Sequence, residues 1–579
     1  MRIFFIFFVF LTLNLGGCKS TTSASIEPTF DALLEEIWQY EHSSQSGGRG
    51  VSAAPSLPNI TPEYKAERHA QYISFIERVN AFSDTELTEQ QQISKAIQLY
   101  RLQNYVDEYI YNAHLMPITS EYGFHSSLLN VRYRFGFTES SDFEQYLDVL
   151  EQIPFYMAQQ IDYMRRGIAL GKTQPQVVLE GFEQSIATII KDDPTQSAFY
   201  TPFQSIADEA LQARARQVIL TSVNPAFQAF YDFMVEEYKP NAKISIAAKD
   251  WPNGAAYYQN RVRYYTTLDM SAEAIHEIGL QEVARIRAQM QEVLDDLNYT
   301  GSINEFIAFL RSDPQFYAAN SKTLIEAAMV MSKRMDALLP QLFEHLPRTP
   351  YGVAPVPDDI APKYTTGRYI SPRNDKQPGY YWVNTYALDK RPLYALPALT
   401  LHEAVPGHHL QISLANEMED LPNVRRSTYI SAFGEGWGLY SEYLGVEVGF
   451  YQTPYEEFGR LSYEMWRACR LVVDTGMHML GWTRQQALDY MLENTALSAH
   501  NVRTEIDRYI SWPGQALAYK LGEILIKEWR AKAEDTLGTD FDVRRFHTAV
   551  LKNGSVPLHK LEQQLEQFIA DEQARLKQG

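Results

Sequence analysis

Three of the chain's 13 histidines and a glutamate fall within Leu401-His402-Glu403-Ala404-Val405-Pro406-Gly407-His408-His409-Leu410-Gln411, an otherwise apolar run. A His-Glu pair followed by another His is how zinc hydrolases carry ligands and a base on one stretch of helix. Such a metal wants three protein ligands and one open position. His402 is the first ligand candidate. Glu403 is the candidate base, taking a proton from water activated by the metal. The usual second His lies four residues on, one helical turn away, but Pro406 stands there and cannot ligate. On a regular helix His408 would be about 120° around the axis and about 9 Å along it, whereas His409 would be aligned but about two turns away. Either needs a break between the ligands. Pro406, lacking an N–H, and Gly407, free in its dihedrals, can supply it. His408 is the preferred second ligand, with His409 as the alternative.

The third ligand is expected from a following helix. In Ala432-Phe433-Gly434-Glu435-Gly436-Trp437-Gly438-Leu439-Tyr440-Ser441-Glu442, residues Glu435, Leu439, Glu442 and Val446 share one face. Two carboxylates then point into apolar surroundings, which is costly unless they are paired or bind a metal. Glu435 is the expected ligand, and Glu442 a fallback or a group supporting a ligand. The plainer alternative is an exposed glutamate on a loosely capped, glycine-rich helix. Further on, Arg467, Arg470, Asp474 and His478 form a polar stripe along an apolar helix. Asp474 could orient a ligand histidine and His478 could face substrate, the alternative being a simple Arg470–Asp474 ion pair. A Ser or Cys nucleophile has no support: there is no Gly-x-Ser-x-Gly elbow, and Cys469 has no recognisable activating partner.

These segments, with Arg470-Leu471-Val472-Val473-Asp474-Thr475-Gly476-Met477-His478, Glu505-Ile506-Asp507-Arg508-Tyr509 and Pro513-Gly514-Gln515-Ala516, resemble the family catalogued as domain of unknown function 885. Its members are bacterial and often lipoproteins. The likeness is close over about the last 180 residues. The family in turn resembles the gluzincin metallopeptidases, mostly helical enzymes with a deep cleft, such as angiotensin-converting enzyme, thimet oligopeptidase and the Taq-type carboxypeptidases. The resemblance implies His408, the histidine after Pro-Gly, as the recurring ligand, and Glu435 as the third. It also implies that Arg508-Tyr509 corresponds to an Arg-Tyr pair in which the Tyr hydroxyl stabilises an oxyanion. The Pro406-Gly407 insertion departs from the peptidase motif.

The chain's address is read from its start. Arg2 precedes the apolar run Ile3 to Leu11, too short to span a bilayer, with the build of a signal peptide over 1–17. Leu15-Gly16-Gly17-Cys18 resembles the bacterial lipoprotein box, with Cys18 the lipidated residue, and Lys19 after it resembles the outer-membrane default. Residues 18–28 read as a tether, and 29–579 as a single domain with its metal site within 400–520. Without Arg2 the formal charge passes from −19 to about −20, which argues against nucleic acid or anionic lipid as partner. The membrane then matters only through the lipid. Cys469, the other cysteine, is expected as a small buried hydrophobe.

The elements that must position the site are mainly helical. Phe30 to Tyr40 carries a helical stripe, and Ser43 to Pro58 reads as an exposed loop. From Pro62 to about Leu346 the texture is helical, clearest after the N-cap Ser271, with the stripe Ile275, Gly279, Val283, Ile286, Met290, Val293, Leu297. His276-Glu277 within it lacks a second His, and both residues are expected at the surface. Tyr364 to Ile370 and Tyr380 to Tyr386 are β-prone and predict a small sheet just before the motif, either an edge that binds extended substrate or a cover for the core. A last helix starts at Pro557. The reading is a large helical body with a deep cleft: a zinc-dependent hydrolase, a peptidase of carboxypeptidase or oligopeptidase type in the cell envelope, facing the periplasm from the outer membrane. The alternatives are a non-catalytic binding lipoprotein on a degenerate peptidase scaffold, or a metal-dependent amide or ester hydrolase.

Overall fold

A computed structural model describes residues 29–43, 56–358, 360–372 and 376–578. The signal peptide, Cys18 and most of the 43–58 loop fall outside them. Helices dominate from Phe30–Ser43 to Leu558–Gln578, with one three-stranded sheet among the described residues. None of the described helices is long and apolar enough to cross a membrane.

Helix Pro454–His478 is the axis of the body. Every residue from Phe458 to His478 is buried. Helix Ala272–Asp296 lies along it, started by the Ser271 side chain accepting the Ala274 N–H at 3.2 Å. The expected stripe from Ile275 to Val293 is buried, and Leu297 caps the end. Gly279 permits the approach: a Cβ there would lie 2.7 Å from Leu471 Cβ. The same packing corrects the surface reading of His276, which is half-buried with Nδ1 2.9 Å from Thr475 Oγ1; only Glu277 is exposed.

A helix buried on all sides must satisfy its polar residues. Lys520, from helix Ala518–Leu537, reaches Glu464 (2.8 Å), Glu523 (2.5 Å) and Glu282 (2.8 Å), and Arg460 holds the other Glu464 oxygen at 2.8 Å. The three carboxylates are close enough for a cation, but the Lys520 ammonium already sits among them. Lys520→Met is expected to destabilise the fold by about 3–5 kcal/mol, because buried carboxylates lose their counter-charge. Urea unfolding measures this, and an unchanged midpoint would refute it.

The sheet has the order β1-β3-β2, with β1 Tyr351–Pro355 parallel and β2 Gly367–Ile370 antiparallel to the central β3 Gly379–Val383. The expected pair of strands is present but shorter at its ends: Tyr364 and Tyr386 lie outside. β1 was not anticipated; its Gly352 and Pro355 weaken the alternating pattern. β3 buries Tyr381 and Val383 in the core, so it covers. β2 is an edge, and it borders the cavity described next.

Candidate metal centre

Helix Leu396–Glu403, buried throughout, ends at Glu403, and the chain re-enters a helix at His408 (His408–Asn416). Four residues therefore separate the helices, and the Val405–Pro406 bond is cis. The break keeps its backbone groups paired: Gly407 N–H donates to Leu401 O (2.9 Å) and His409 N–H to Ala404 O (3.1 Å). Trp437 Nε1–H donates to Pro406 O at 2.8 Å, fastening the break to helix Ser431–Glu447.

This bend turns His408 back towards His402, their ring centroids 4.7 Å apart and nearly perpendicular. Glu435 Oε2 lies 3.4 Å from each Nε2, and the three ligand atoms fall within 4.8 Å of one another. Tetrahedral zinc with bonds of about 2.0–2.1 Å separates its ligands by about 3.3–3.4 Å. The glutamate-to-histidine spacings match that edge.

The glycines of Phe433 to Gly438 each open space for a neighbour. A Cβ on Gly434 would strike the Tyr429 ring at 2.3 Å, on Gly436 the Gly522 backbone at 2.6 Å, and on Gly438 the His402 ring at 2.7 Å. The segment is thus a close-packed seat for Glu435, not a loosely capped helix. Tyr429 OH donates to Glu435 Oε1 at 3.2 Å, leaving Oε2 for the histidines. Farther along the face Glu442 is buried but Val446 is exposed.

Glu442 Oε1 lies 2.8 Å from His402 Nδ1 and 3.3 Å from Arg467 Nη2. With Nδ1–H donated to Glu442, Nε2 presents its lone pair to a cation. Electrostatics favours positive charge here. Burial pushes the His402 pKa down, but the hydrogen bonds its ring donates to Glu435 and Glu442 outweigh it and carry it up to about 9. Burial likewise raises Glu435, yet His408 and His402 hold its carboxyl well below the usual range. What favours a proton on His402 would favour a divalent cation between the three side chains. Glu442→Ala is expected to weaken zinc affinity about 10–100-fold. A chelator competition titration reads this directly, and wild-type affinity would remove Glu442 from the role.

Glu403, beside these residues, accepts the Tyr369 N–H from β2 at 2.7 Å. Both border a cavity of about 310 Å³ that His402, His408, Glu435, Arg467, Arg470 and Arg508 also line. Tyr429 and Tyr519 bring hydroxyl-bearing rings to its wall. Neither was singled out from the sequence, since Tyr429 precedes its helix and Tyr519 shares no periodicity with the ligands.

The structure places the remaining candidates elsewhere. His409 turns under the sheet, with Nδ1 3.1 Å from Tyr369 OH and its ring against Tyr351, and burial pushes its pKa down to about 4. Asp474 orients no histidine. It accepts from Tyr258 OH (2.6 Å) and the Gly514 N–H (3.2 Å), and burial raises its pKa to about 7. His478 is fully buried between Ala248 N–H (3.1 Å) and Tyr509 O (3.0 Å), so it does not face the cavity. Arg470 pairs with Glu505 at 3.2 Å instead of Asp474. Tyr509 is a core aromatic whose hydroxyl accepts from Arg470 Nε (2.6 Å) and Trp466 Nε1 (2.9 Å), behind the wall rather than on it. Cys469 is a free, buried thiol that burial makes a weaker acid.

The fold is mainly α, with a small sheet ahead of a two-helix motif and three converging ligand-type side chains. The chain belongs to the family of bacterial proteins of unknown function designated DUF885, whose model matches residues 44–565. A candidate lipoprotein from Colwellia psychrerythraea has a similar crystal structure: 29% identity, TM-score 0.85, covering 94% of this chain and 99% of that one. A candidate lipoprotein of unknown function from Shewanella oneidensis shares the fold at 18% identity and TM-score 0.73, covering 92% and 98%. A search of curated proteins finds no match.

Proposed function

We propose that this protein is a zinc-dependent hydrolase, a peptidase that cleaves short peptides. The observation that carries the reading is the convergence of His402, His408 and Glu435 beside Glu403 in one cavity. Zinc held there would polarise the substrate carbonyl and make water a better nucleophile. The other steps fall to the chain's own residues. Glu403, fixed by the Tyr369 N–H, takes a proton from the attacking water and passes it to the leaving amine. The C–N bond breaks, the water oxygen staying on the new carboxylate. Tyr519, whose ring lines the cavity, would donate a hydroxyl hydrogen bond to the oxyanion, the part first given to Tyr509, since the Tyr429 hydroxyl is already spent on Glu435. β2 offers its outer edge to an extended peptide, as strand addition requires. The likeness to the candidate lipoprotein of 29% identity supports a lipid-anchored place in the cell envelope; Cys18 as the acylated residue and a body facing the periplasm rest on the Leu15-Gly16-Gly17-Cys18-Lys19 run.

Elemental analysis of the form lacking residues 1 to 18 tests the reading. About one zinc per chain is expected, lost in both His408→Ala and Glu435→Ala. Zinc kept by His408→Ala but lost by His409→Ala would move the ligand, and no zinc even after supplementation would overturn the proposal.

A further inference from the structure

The cavity beside the candidate metal centre carries arginine donors that its carboxylates leave unfilled. Arg467, Arg470 and Arg508 line one wall, with Arg467 and Arg470 4% and 2% exposed. Glu442 lies 3.3 Å from Arg467. A single Glu505 oxygen serves the other two, at 3.2 Å from Arg470 Nη2 and 3.7 Å from Arg508 Nε. Glu403 and Glu435, which also line the cavity, are taken up by the Tyr369 N–H and by the two histidines, so these three arginines have only Glu442 and Glu505 as partners. At the rim, exposed Arg368 and Glu121 offset each other in charge.

Hydrogen bonding shows the unfilled capacity. Arg467 Nε, Arg470 Nη1 and Arg508 Nε are buried without a hydrogen-bond partner. Buried donors are seldom left orphaned, and charged ones cost most. Three such donors on neighbouring guanidiniums, beside a space large enough for a small molecule, call for an anionic ligand. Arginine, with its planar fork of donors, suits a carboxylate.

Position narrows the ligand. Arg467 touches Glu442, which touches His402, so the cationic row begins at the metal centre. Arg470 is roughly 4.5 Å farther along the helix, and one extended peptide residue spans about 3.3–3.6 Å. We infer that the arginine row binds the free α-carboxylate of a short peptide, one or two residues beyond the bond cleaved. The protein then trims C-termini instead of cutting within long chains. This rests on the hydrolase reading and adds its substrate class.

The test uses the full chain and matched tripeptide pools made as free acids and as C-terminal amides. Turnover is followed by mass spectrometry, and binding by calorimetry on zinc-supplemented Glu403→Gln. Amides are expected to show at least 100-fold lower kcat/KM and at least tenfold weaker binding. Arg508→Gln should raise KM for the acids at least tenfold. Equal turnover and affinity for acids and amides would overturn the carboxylate subsite and leave the hydrolase standing. Tighter binding of acids with no hydrolysis by the wild type would support the subsite and overturn the peptidase reading. Binding of neither pool would overturn the subsite.

Discussion

Glu403→Gln is expected to retain about one zinc per chain while kcat falls by about 10³-fold, within the range for loss of a general base. The substitution isolates basicity from position. Glutamine has the same length, and its carbonyl oxygen can accept the Tyr369 N–H that now meets Glu403 Oε2 at 2.7 Å. The side chain should therefore stay where it is and lose only its capacity to take a proton. Steady-state kinetics on a peptide identified from the pools, beside elemental analysis of the same preparation, reads both quantities. Full activity with zinc in place would remove Glu403 from the mechanism.

Gly407→Ala is expected to cost about 3 kcal/mol or more and to abolish zinc binding. A Cβ there would lie 1.9 Å from the His402 carbonyl oxygen and 2.5 Å from that of Leu401, backbone atoms that cannot swing aside. The bend that turns His408 towards His402 would have to open. Gly438→Ala is the control, since its Cβ would meet the His402 ring, at 2.7 Å from Cε1, and not the backbone. It should lose zinc affinity with a smaller fall in stability. Thermal unfolding and zinc content separate the two, and wild-type values for Gly407→Ala would show that the bend does not depend on the missing side chain.

The helical class and several elements were legible because they follow from local pattern. The stripe after Ser271, the N-cap itself and the strands around Ile370 and Tyr381 each repeat with the period of their own element. The missed strand Tyr351–Pro355 lacks that periodicity and exists because β3 offers it a parallel edge. His276 shows the opposite limit. It lies off the apolar stripe, yet a helix almost 200 residues later covers it.

For the candidate site, the sequence by itself determined the residue types, the break at Pro406-Gly407 and the two carboxylates on one helical face. All of these depend on neighbours within a turn or two. Which polar side chains share the cavity was decided only by the tertiary structure. In the helix Pro454–His478, Arg467 and Arg470 face the cavity, while Asp474 meets Tyr258 and His478 meets Ala248. Spacing alone cannot separate these residues, because every side of that helix is buried. The environment of each is set by whichever distant element packs against that side, and His402 likewise finds Glu442 only because two helices 40 residues apart are brought into contact.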